Sequence, residues 1–425
     1  MVGSYFYAWA AFLCVGCAVG FEPSQDSTSP LVTDKVVLPP DLGHGASGSG
    51  SEVTNWQGPV LLGSAGSAQV PSAVSWAAGR LDVFGAALQP GGVFELAHWW
   101  YDQAWHGPDL HGGNMGGDPC AISRADGQLD VFAVDGSSSQ EMVEHWGFDS
   151  SWEGPTLLPG ATANARMVAA PSVVSSGADR LDVFAAQSLR GDPDIVSFSY
   201  TDRWRGPVGL PGRSNGSTSA PVAVSWGPGR LDLFATDMGT GQLVHWWFDK
   251  TWNGPAFLEG NLIPDAPLSV VSWQNGRLDV FGAAGFGGAF AVGAQLAHWW
   301  YDGNWHGPEL LGGNIANNPS GPSAVSWGEG RLDVFATDAD TGQLAHWWND
   351  EGWHGPELLG GNPRSTPNAV SQAPGSLDVF AFDLDSYQLA WWSRRPDNQI
   401  LSRTVISNAL RTSQPATALG VAGAS

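Results

Sequence analysis

The sequence predicts an all-β protein: a seven-bladed β-propeller in which each blade is a sheet of four antiparallel strands. The motif Leu-Asp-Val/Leu-Phe recurs seven times, beginning at Leu81, Leu129, Leu181, Leu231, Leu278, Leu332 and Leu377. The interval is about 50 residues, which is typical of a propeller blade. Within each interval, short apolar and aromatic segments alternate with Gly-rich turns, and no helical period is present.

One repeat illustrates the four strands. The first strand is expected at residues 73–76, the second at 80–84 and the third at 96–101. The fourth begins at Trp105 with the motif Trp-x-Gly-Pro. The 57 Gly and 29 Pro of the chain supply the turns that so many short strands require.

The Trp-x-Gly-Pro motif predicts how the ring closes. It also occurs seven times, at Trp56, Trp105, Trp152, Trp204, Trp252, Trp305 and Trp353. The first copy precedes any complete repeat, and no copy follows the last Leu-Asp-Val-Phe at Leu377. We therefore expect the strand at Trp56 to complete the blade begun by the C-terminal repeat, which joins the chain ends and removes free sheet edges.

The segments that flank the repeats differ from them in composition. Residues 1–20 are apolar and end in small residues, which predicts a signal peptide and a secreted or extracellular protein. Lipidation at Cys17 or an N-terminal membrane tether are alternatives. Residues 21–54 resemble a flexible Ser/Pro/Gly-rich linker, 55–398 form the propeller, and 399–425 are a tail of no predicted role. After signal removal only Cys120 remains, so no intramolecular disulfide is expected.

Charge limits the partners. The net charge of −23 disfavours nucleic acid and anionic membrane surfaces. No segment after the signal peptide is long and apolar enough to insert in a bilayer. The oligomeric state is not predicted.

Residues present in every repeat are interpreted as structural. The aspartate of Leu-Asp-Val/Leu-Phe is expected to be buried and to accept hydrogen bonds from backbone or Trp N–H groups. A ring of identical acids does not supply the asymmetric pair that acid–base catalysis needs. The Trp of Trp-x-Gly-Pro is expected to wedge between blades. The histidines occur once per blade, so no metal site or other cofactor is predicted; they are His98, His145, His245, His298 and His346. Asp338–Gly342 is expected to form a β-turn and not a calcium loop.

Two Trp positions occur only in blades one, four, five and six. The first ends the first strand and comprises Trp76, Trp226, Trp273 and Trp327. The second is the last Trp of His-Trp-Trp and comprises Trp100, Trp247, Trp300 and Trp348. In blade three the sequence alignment assigns Ser199 to the first Trp of that motif and Tyr200 to the second. Joint presence and joint loss indicate one composite site, although coupled core packing gives the same pattern.

The composition of this predicted site suits carbohydrate. A flat aromatic ring stacks on the C–H face of a pyranose, while neighbouring polar groups bond its hydroxyls. The candidate polar partners are Ser75, Arg80, His98 and Asp102, with their equivalents in blades four to six. Several weak sites on one rigid body gain avidity for glycans on cell surfaces or glycoproteins.

The complete repeat resembles that of the seven-bladed propeller lectins of the Photorhabdus lectin family. The resemblance lies in Ala-Val-Ser-Trp, Gly-Arg-Leu-Asp-Val-Phe, Leu-Ala-His-Trp-Trp and Trp-x-Gly-Pro-Glu-Leu-Leu-Gly-Gly, and it covers roughly residues 56–392. It implies binding of L-fucose and O-methylated sugars in Trp-lined pockets between blades. Three incomplete blades depart from the pattern.

Two other functions remain open. The same Trp residues could anchor a protein partner, which makes the propeller an interaction scaffold. A glycoside-acting enzyme is the second alternative, but the Ser-x-Asp-x-Gly-x-Thr-Trp boxes of sialidases, catalytic triads, metal motifs and phosphate-binding loops are all absent from the sequence. A non-enzymatic lectin is therefore the prediction.

Overall fold

The computed structural model of the chain describes residues 10–14, 17–21, 55–64, 66, 69–136, 142–159, 166–167, 169–177, 179–189, 192–212, 218–285, 293–316 and 320–396. Residues 22–54 of the predicted linker and the predicted tail 399–425 lie outside the described residues. Within those ranges every regular element is a β-strand. No helix in this part of the chain is long and apolar enough to span a bilayer.

Six four-stranded antiparallel sheets, and four antiparallel strands of a seven-stranded sheet, form the seven predicted blades. Three strands precede the first complete blade: β1 (Ala10–Cys14), β2 (Cys17–Phe21) and β3 (Trp56–Ser64). Blade 1 contains β4 (Ser72–Val74), β5 (Leu81–Leu88), β6 (Phe94–Tyr101) and β7 (Trp105–Leu110). Blade 2 contains β8 (Cys120–Ala125), β9 (Gln128–Val134), β10 (Val143–Asp149) and β11 (Ser151–Leu157). After the short strand β12 (Arg166–Met167), blade 3 contains β13 (Ser172–Gly177), β14 (Arg180–Leu189), β15 (Asp192–Tyr200) and β16 (Trp204–Gly209).

The remaining blades repeat this order. Blade 4 contains β17 (Val222–Gly227), β18 (Arg230–Thr236), β19 (Leu243–Asp249) and β20 (Thr251–Leu258). Blade 5 contains β21 (Ser269–Val271), β22 (Leu278–Gly285), β23 (Ala294–Tyr301) and β24 (Trp305–Leu310). Blade 6 contains β25 (Ser323–Gly328), β26 (Arg331–Thr337), β27 (Leu344–Asn349) and β28 (Trp353–Leu358). Blade 7 contains β29 (Asn368–Val370), β30 (Leu377–Phe382) and β31 (Gln388–Arg394), and β3 is its fourth strand.

The ring closes as the sequence predicts. Strand β3 pairs antiparallel with β31, so that Trp56 lies opposite Arg394. The first strands of consecutive blades contact one another around the full circle, including β29 of blade 7 with β4 of blade 1. The sheet edge that blade 7 would otherwise expose is therefore covered by the N-terminal strand.

The wedge predicted for the Trp of Trp-x-Gly-Pro is confirmed at all seven interfaces. Each indole packs edge-on against the Phe of Leu-Asp-Val/Leu-Phe in the preceding blade, as Trp152 does against Phe84 with ring centroids 5.7 Å apart. The last interface follows the same rule, since Trp105 of blade 1 packs on Phe380 of blade 7. This aromatic contact is the repeated joint between blades. The other pairs are Trp204–Phe132, Trp252–Phe184, Trp305–Phe234, Trp353–Phe281 and Trp56–Phe335.

The apolar N-terminal hairpin occupies the axis of the ring. Strands β1 and β2 pair with each other, and β2 pairs in parallel with β13. Together they contact the first strands of all seven blades. Residues 10–14 and 17–20 of the predicted signal peptide thus contribute to this hairpin, and residues 1–9, 15 and 16 lie outside the described residues.

The prediction that Cys120 has no intramolecular disulfide partner is wrong for this structure. Cys120 is disulfide-bonded. The only other cysteines in the chain are Cys14 and Cys17, one in each strand of the hairpin. Strand β2 contacts β8, which begins at Cys120. The prediction treated residues 1–20 as a cleaved signal peptide, which excluded Cys14 and Cys17 as partners of Cys120.

Replacing the glycine of Trp-x-Gly-Pro tests how closely the outer strand of a blade packs against the third strand. Gly307 has φ +97° and a side chain there would place Cβ 2.6 Å from the carbonyl oxygen of His298, on the neighbouring strand. We expect Gly307→Ala to lower the free energy of unfolding by about 3 kcal/mol or more, because backbone strain and a backbone clash add.

Gly303→Ala is the matched control. Gly303 has φ +111° in the same blade, but no heavy atom lies within 4 Å of its added Cβ. Its cost is limited to the backbone strain, about 1–3 kcal/mol. Denaturant unfolding of both variants measures the difference, and equal losses would contradict this description of the strand.

Candidate functional site

A buried carboxylate lies at the centre of each blade interface. All seven Leu-Asp-Val/Leu-Phe aspartates are buried, as the sequence predicts. In blade 1, Asp82 receives two hydrogen bonds from Arg80, at 2.8 Å from Nε and 2.6 Å from Nη2. Nε2 of His98 lies 2.9 Å from Asp82 Oδ1. The predicted Trp donor is present too, since Trp76 Nε1 donates to Asp82 Oδ2 at 3.0 Å. Arg and His are therefore donors to the carboxylate that the sequence interpretation did not name.

The same side chains recur in the four complete blades. We call Trp76, Arg80, Asp82, His98 and Trp100, with their equivalents, the Trp–Arg–Asp cluster. The equivalents are Trp226, Arg230, Asp232, His245 and Trp247 in blade 4; Trp273, Arg277, Asp279, His298 and Trp300 in blade 5; and Trp327, Arg331, Asp333, His346 and Trp348 in blade 6.

The donors around the carboxylate decide its pKa. Burial raises the pKa of Asp82, but hydrogen bonds from Arg80 and His98 outweigh it, so the net shift is downward. The pKa of Asp333 in blade 6 is lowered for the same reasons. In blade 3, burial raises the pKa of Asp182 and the bond from Arg180 does not compensate fully. Blade 3 has Ser197 in place of the histidine, so the second donor is missing.

The first-strand Trp is held in place by the cluster. The guanidinium of Arg80 lies over the Trp76 ring, 5.3 Å from its centroid, and the other complete blades repeat this cation–π contact. The indole N–H of Trp76, Trp273 and Trp327 donates to the aspartate of its own blade. In blade 4, Trp226 Nε1 is buried and has no partner among the described residues, which leaves one indole donor unused.

The second Trp lies on the other side of the same carboxylate. Trp100 is directly opposite Asp82 in the strand register. Its ring contacts that of His98, with centroids 5.1 Å apart, and stacks on His106 at 5.2 Å. Both Trp positions thus border one Arg–Asp pair, and each indole is half-buried. This shared neighbour explains why the two Trp residues occur together.

The strand register corrects the sequence alignment of blade 3. Asp182 lies opposite Ser199 and Val183 opposite Phe198. Phe198 therefore takes the place of the first Trp of His-Trp-Trp, and Ser199 that of the second. The alignment by sequence was displaced by one residue because Ser197 replaces the histidine that marks this motif elsewhere.

The predicted polar partners have different environments. Ser75 is buried, and its hydroxyl donates to the carbonyl of Ala77, a bond that all seven blades repeat in the same turn. His98 is buried against Asp82. Asp102 is exposed and bonds His106 at 2.8 Å, with Arg80 Nη1 3.9 Å from its other oxygen. Arg80 and Asp102 are thus the two members of this set that reach the surface.

The following blade supplies a further residue that sequence comparison within one repeat does not reveal. One residue near the end of the third strand pairs with the wedge Trp, as Tyr101 does with Trp105. It faces the cluster of the preceding blade: Phe248 lies 5.7 Å from the guanidinium of Arg180, and Tyr301 interacts electrostatically with Arg230. Each candidate pocket is therefore built from two blades.

The incomplete blades fill the carboxylate site with their own side chains. In blade 2, Arg124 takes the position of the first Trp and its Nε donates to Asp130 at 2.6 Å. In blade 7, Asp378 receives Gln372 Nε2, Trp391 Nε1 and Arg395 Nη2. Arg395 and the wedge Trp105 are both buried there. The interface between blades 7 and 1 is therefore closed to a ligand of pyranose size.

The comparison of repeats also missed Glu144, a buried acid in the third strand of blade 2. It stands where blade 1 has Ala97, and it is buried beside Asp135, at hydrogen-bond distance from the Asn114 amide. Burial raises the pKa of Glu144 to about 7, the Asn114 bond opposes the shift, and the Asp135 charge adds to it. A carboxyl group with a pKa near 7 is only partly ionised at neutral pH, and such shifts cluster at functional sites, so Glu144 is the residue to test in the enzyme alternative.

Asp338 closes the turn that the sequence predicts at residues 338–342. Asp338 Oδ1 accepts hydrogen bonds from the backbone and hydroxyl of Thr341, and Gly342 N bonds Asp338 O. The bond from Gly342 N to Asp338 O joins residues i and i+4, so Asp338–Gly342 forms an α-turn, one residue longer than the predicted β-turn. Among the described residues, no group of three or more His, Cys, Asp or Glu is arranged to hold a metal ion.

The fold is similar to that of solved propeller proteins. A lectin from Burkholderia pseudomallei, BP39L, is 21% identical with a TM-score of 0.61, and the match covers 79% of this chain and 99% of that one. The Aleuria aurantia lectin in complex with α-methyl-L-fucoside is 18% identical, with a TM-score of 0.48 over 71% of this chain and 97% of that one. An ulvan lyase of polysaccharide lyase family PL25 gives 13% and 0.47, over 84% and 98%. No family model and no curated protein match the sequence.

The paired donors around the carboxylate predict its contribution to stability. Asp333→Asn removes the buried carboxylate that Arg331 and His346 share, so we expect a loss of about 3–5 kcal/mol at pH 7. Because the folded pKa of Asp333 is lowered, its contribution is present above the unfolded pKa, about 3.9, and is lost as pH falls through the folded value.

Asp182→Asn is the control for this substitution. Asp182 lacks a histidine partner and its pKa is raised, so its charged form is less favoured in the folded state than in the unfolded chain. We expect a loss of only about 1.5 kcal/mol for the Arg180 bond. Urea unfolding from pH 3 to pH 8 compares the two, and an Asp333→Asn loss no larger than that of Asp182→Asn would contradict the assignment.

Proposed function

We propose that this protein is a multivalent lectin that binds L-fucose or O-methylated sugars and catalyses no reaction. The observation that carries the proposal is the fourfold Trp–Arg–Asp cluster, in which two half-buried indoles border an immobilised guanidinium at a blade interface. The sequence resemblance to the Photorhabdus lectin family points in the same direction. The propeller fold by itself is shared with lectins and with enzymes that act on polysaccharides.

The chemistry of the cluster suits a deoxy or methylated sugar. Indole rings pack against C–H and methyl groups of a sugar. The arginine of the Arg–Asp pair holds its N–H donors at a fixed distance from the indoles, where sugar hydroxyls can bind them. The hydrogen bonds that Asp82 accepts from Arg80, Trp76 and His98 fix these groups before a ligand arrives, which lowers the entropy lost on binding. A single shallow pocket binds weakly, and four on one body give avidity towards a glycan-covered surface.

The Trp residues provide the direct test. We expect the protein to bind fucosylated or O-methylated glycans on an array, and free L-fucose in excess to abolish that binding. Replacing Trp100, Trp247, Trp300 and Trp348 together by Ala removes one wall of each pocket and should reduce array binding at least about 100-fold through lost avidity.

Ser199→Ala is the matched control, because Ser199 occupies the same register position in blade 3, which lacks the cluster. It should leave binding unchanged. Binding that free sugar does not displace would favour a protein partner. Turnover of a glycoside panel, lost on Glu144→Gln, would favour an enzyme. A blank array with folded protein would contradict the sugar assignment.

We also propose an extracellular location. Disulfides persist in oxidising compartments, so the disulfide at Cys120 supports this location. The intact mass of the exported protein, with and without reductant, tests this. A chain that begins at residue 21 has lost Cys14 and Cys17 and must show a free Cys120 thiol. A chain that keeps the hairpin must show the disulfide, and a chain found only inside the cell would overturn the proposal.

A further inference from the structure

The four complete clusters are not chemically equivalent. Each faces the third-strand residue that pairs with the wedge Trp of the following blade, and that residue differs at every complete interface. Blade 1 faces Phe148, blade 4 faces Tyr301, blade 5 faces Asn349 and blade 6 faces Arg394. The pockets thus share five residues and differ in one that comes from the neighbouring blade.

Arg394 is placed at the blade 6 pocket by its pairing. It lies opposite Leu377 on one side and opposite the wedge Trp56 on the other. Trp56 packs on Phe335 and His346 of blade 6, with centroids 5.5 and 5.4 Å apart. The Arg394 side chain is on the same face of its sheet as Trp56, so it faces the blade 6 cluster as Tyr301 faces Arg230.

The guanidinium of Arg394 has an unused donor. Its Nη1 is buried and has no hydrogen-bond partner among the described residues. The neighbouring acids are bonded to other groups: Glu357 accepts from Trp56 Nε1 at 3.2 Å and lies 2.8 Å from His346 Nδ1. Asp350 lies 3.5 Å from Arg331, and Asp333 is bonded by Arg331 and His346.

We propose that the pocket between blades 6 and 7 selects a sugar that carries a carboxylate, a hexuronic acid, whereas the pockets facing Phe148, Tyr301 and Asn349 select neutral sugars. A guanidinium fork matches a planar carboxylate, and charge-assisted hydrogen bonds are the strong ones. The two aromatic residues suit apolar substituents such as methyl groups. This inference rests on the proposed lectin function and adds the ligand class of one pocket.

Charge at longer range opposes this preference without removing it. The chain carries a net charge of −23, which repels anionic ligands. Exposed charges are screened beyond roughly 8 Å at physiological salt, whereas a bonded guanidinium acts at contact distance. Added salt should therefore screen the long-range repulsion and leave the contact with Arg394 in place.

Titration with matched ligands tests the inference. The probes are methyl glycosides of hexuronic acids, each compared with its uncharged methyl ester, and methyl α-L-fucoside as the neutral sugar. For the unmodified protein we expect one site per chain that binds the acid at least about tenfold more tightly than the ester. Arg394→Gln should remove that preference and leave binding of the fucoside at the other pockets unchanged.

Asn349→Arg is the converse variant and guards against a folding defect in the first. Asn349 is the equivalent residue between blades 5 and 6, and a guanidinium there should create a second acid-selective site. Fucoside binding with no acid preference, or an acid preference that survives Arg394→Gln, overturns this inference but leaves the lectin proposal intact. Failure to bind any of the sugars by folded protein overturns both.

Discussion

The buried carboxylate of the Leu-Asp-Val/Leu-Phe motif is the interaction on which the rest of this structure depends. An ionised acid in a protein interior is costly unless it is paired and fully hydrogen-bonded. Each blade meets that requirement with at least one cationic or amide donor set, such as Arg80 with His98 in blade 1 or Arg395 with Gln372 in blade 7.

The candidate sites are a consequence of that pairing. Where the donors are Arg and His, two indoles complete the environment: one accepts the guanidinium on its face and the other contacts the imidazole. Blade 2 keeps the histidine donor, His145, but its arginine is Arg124, which stands at the first Trp position, and both indoles are absent there. All seven blades provide donors for a buried aspartate, but only four do so with a pair of half-buried Trp side chains at the surface.

Ring closure adds an asymmetry to the repeat. Blade 7 is assembled from both ends of the chain, and its interface with blade 1 is filled by Trp391, Arg395 and Trp105. The chain is continuous from β3 of blade 7 to β4 of blade 1, so the break in the ring lies within blade 7, between β31 and β3. The filled interface with blade 1 means that a sevenfold repeat carries fewer than seven candidate pockets.

Much of the fold could be predicted because the repeat makes residue positions comparable within one chain. The blade count, the closing strand at Trp56 and the wedge Trp all follow from motifs whose offset is visible in the sequence. What lies opposite a residue across a blade interface is not visible in that way. Comparison of repeats therefore missed Arg394 as a neighbour of blade 6, and it shifted blade 3 by one residue where Ser197 replaces the marker histidine. The partner of Cys120 was missed because the hairpin that contains it was assigned to a cleaved segment.

A crystal structure of the protein soaked with methyl α-L-fucoside tests the central claim most directly. The account predicts sugar at the interfaces of complete clusters, in contact with Trp100, Trp247 and Trp300, and none at the seam between blades 7 and 1. Sugar found instead at the interfaces that follow blades 2 and 3, or at the seam, would contradict the assignment of the site to the Trp–Arg–Asp cluster.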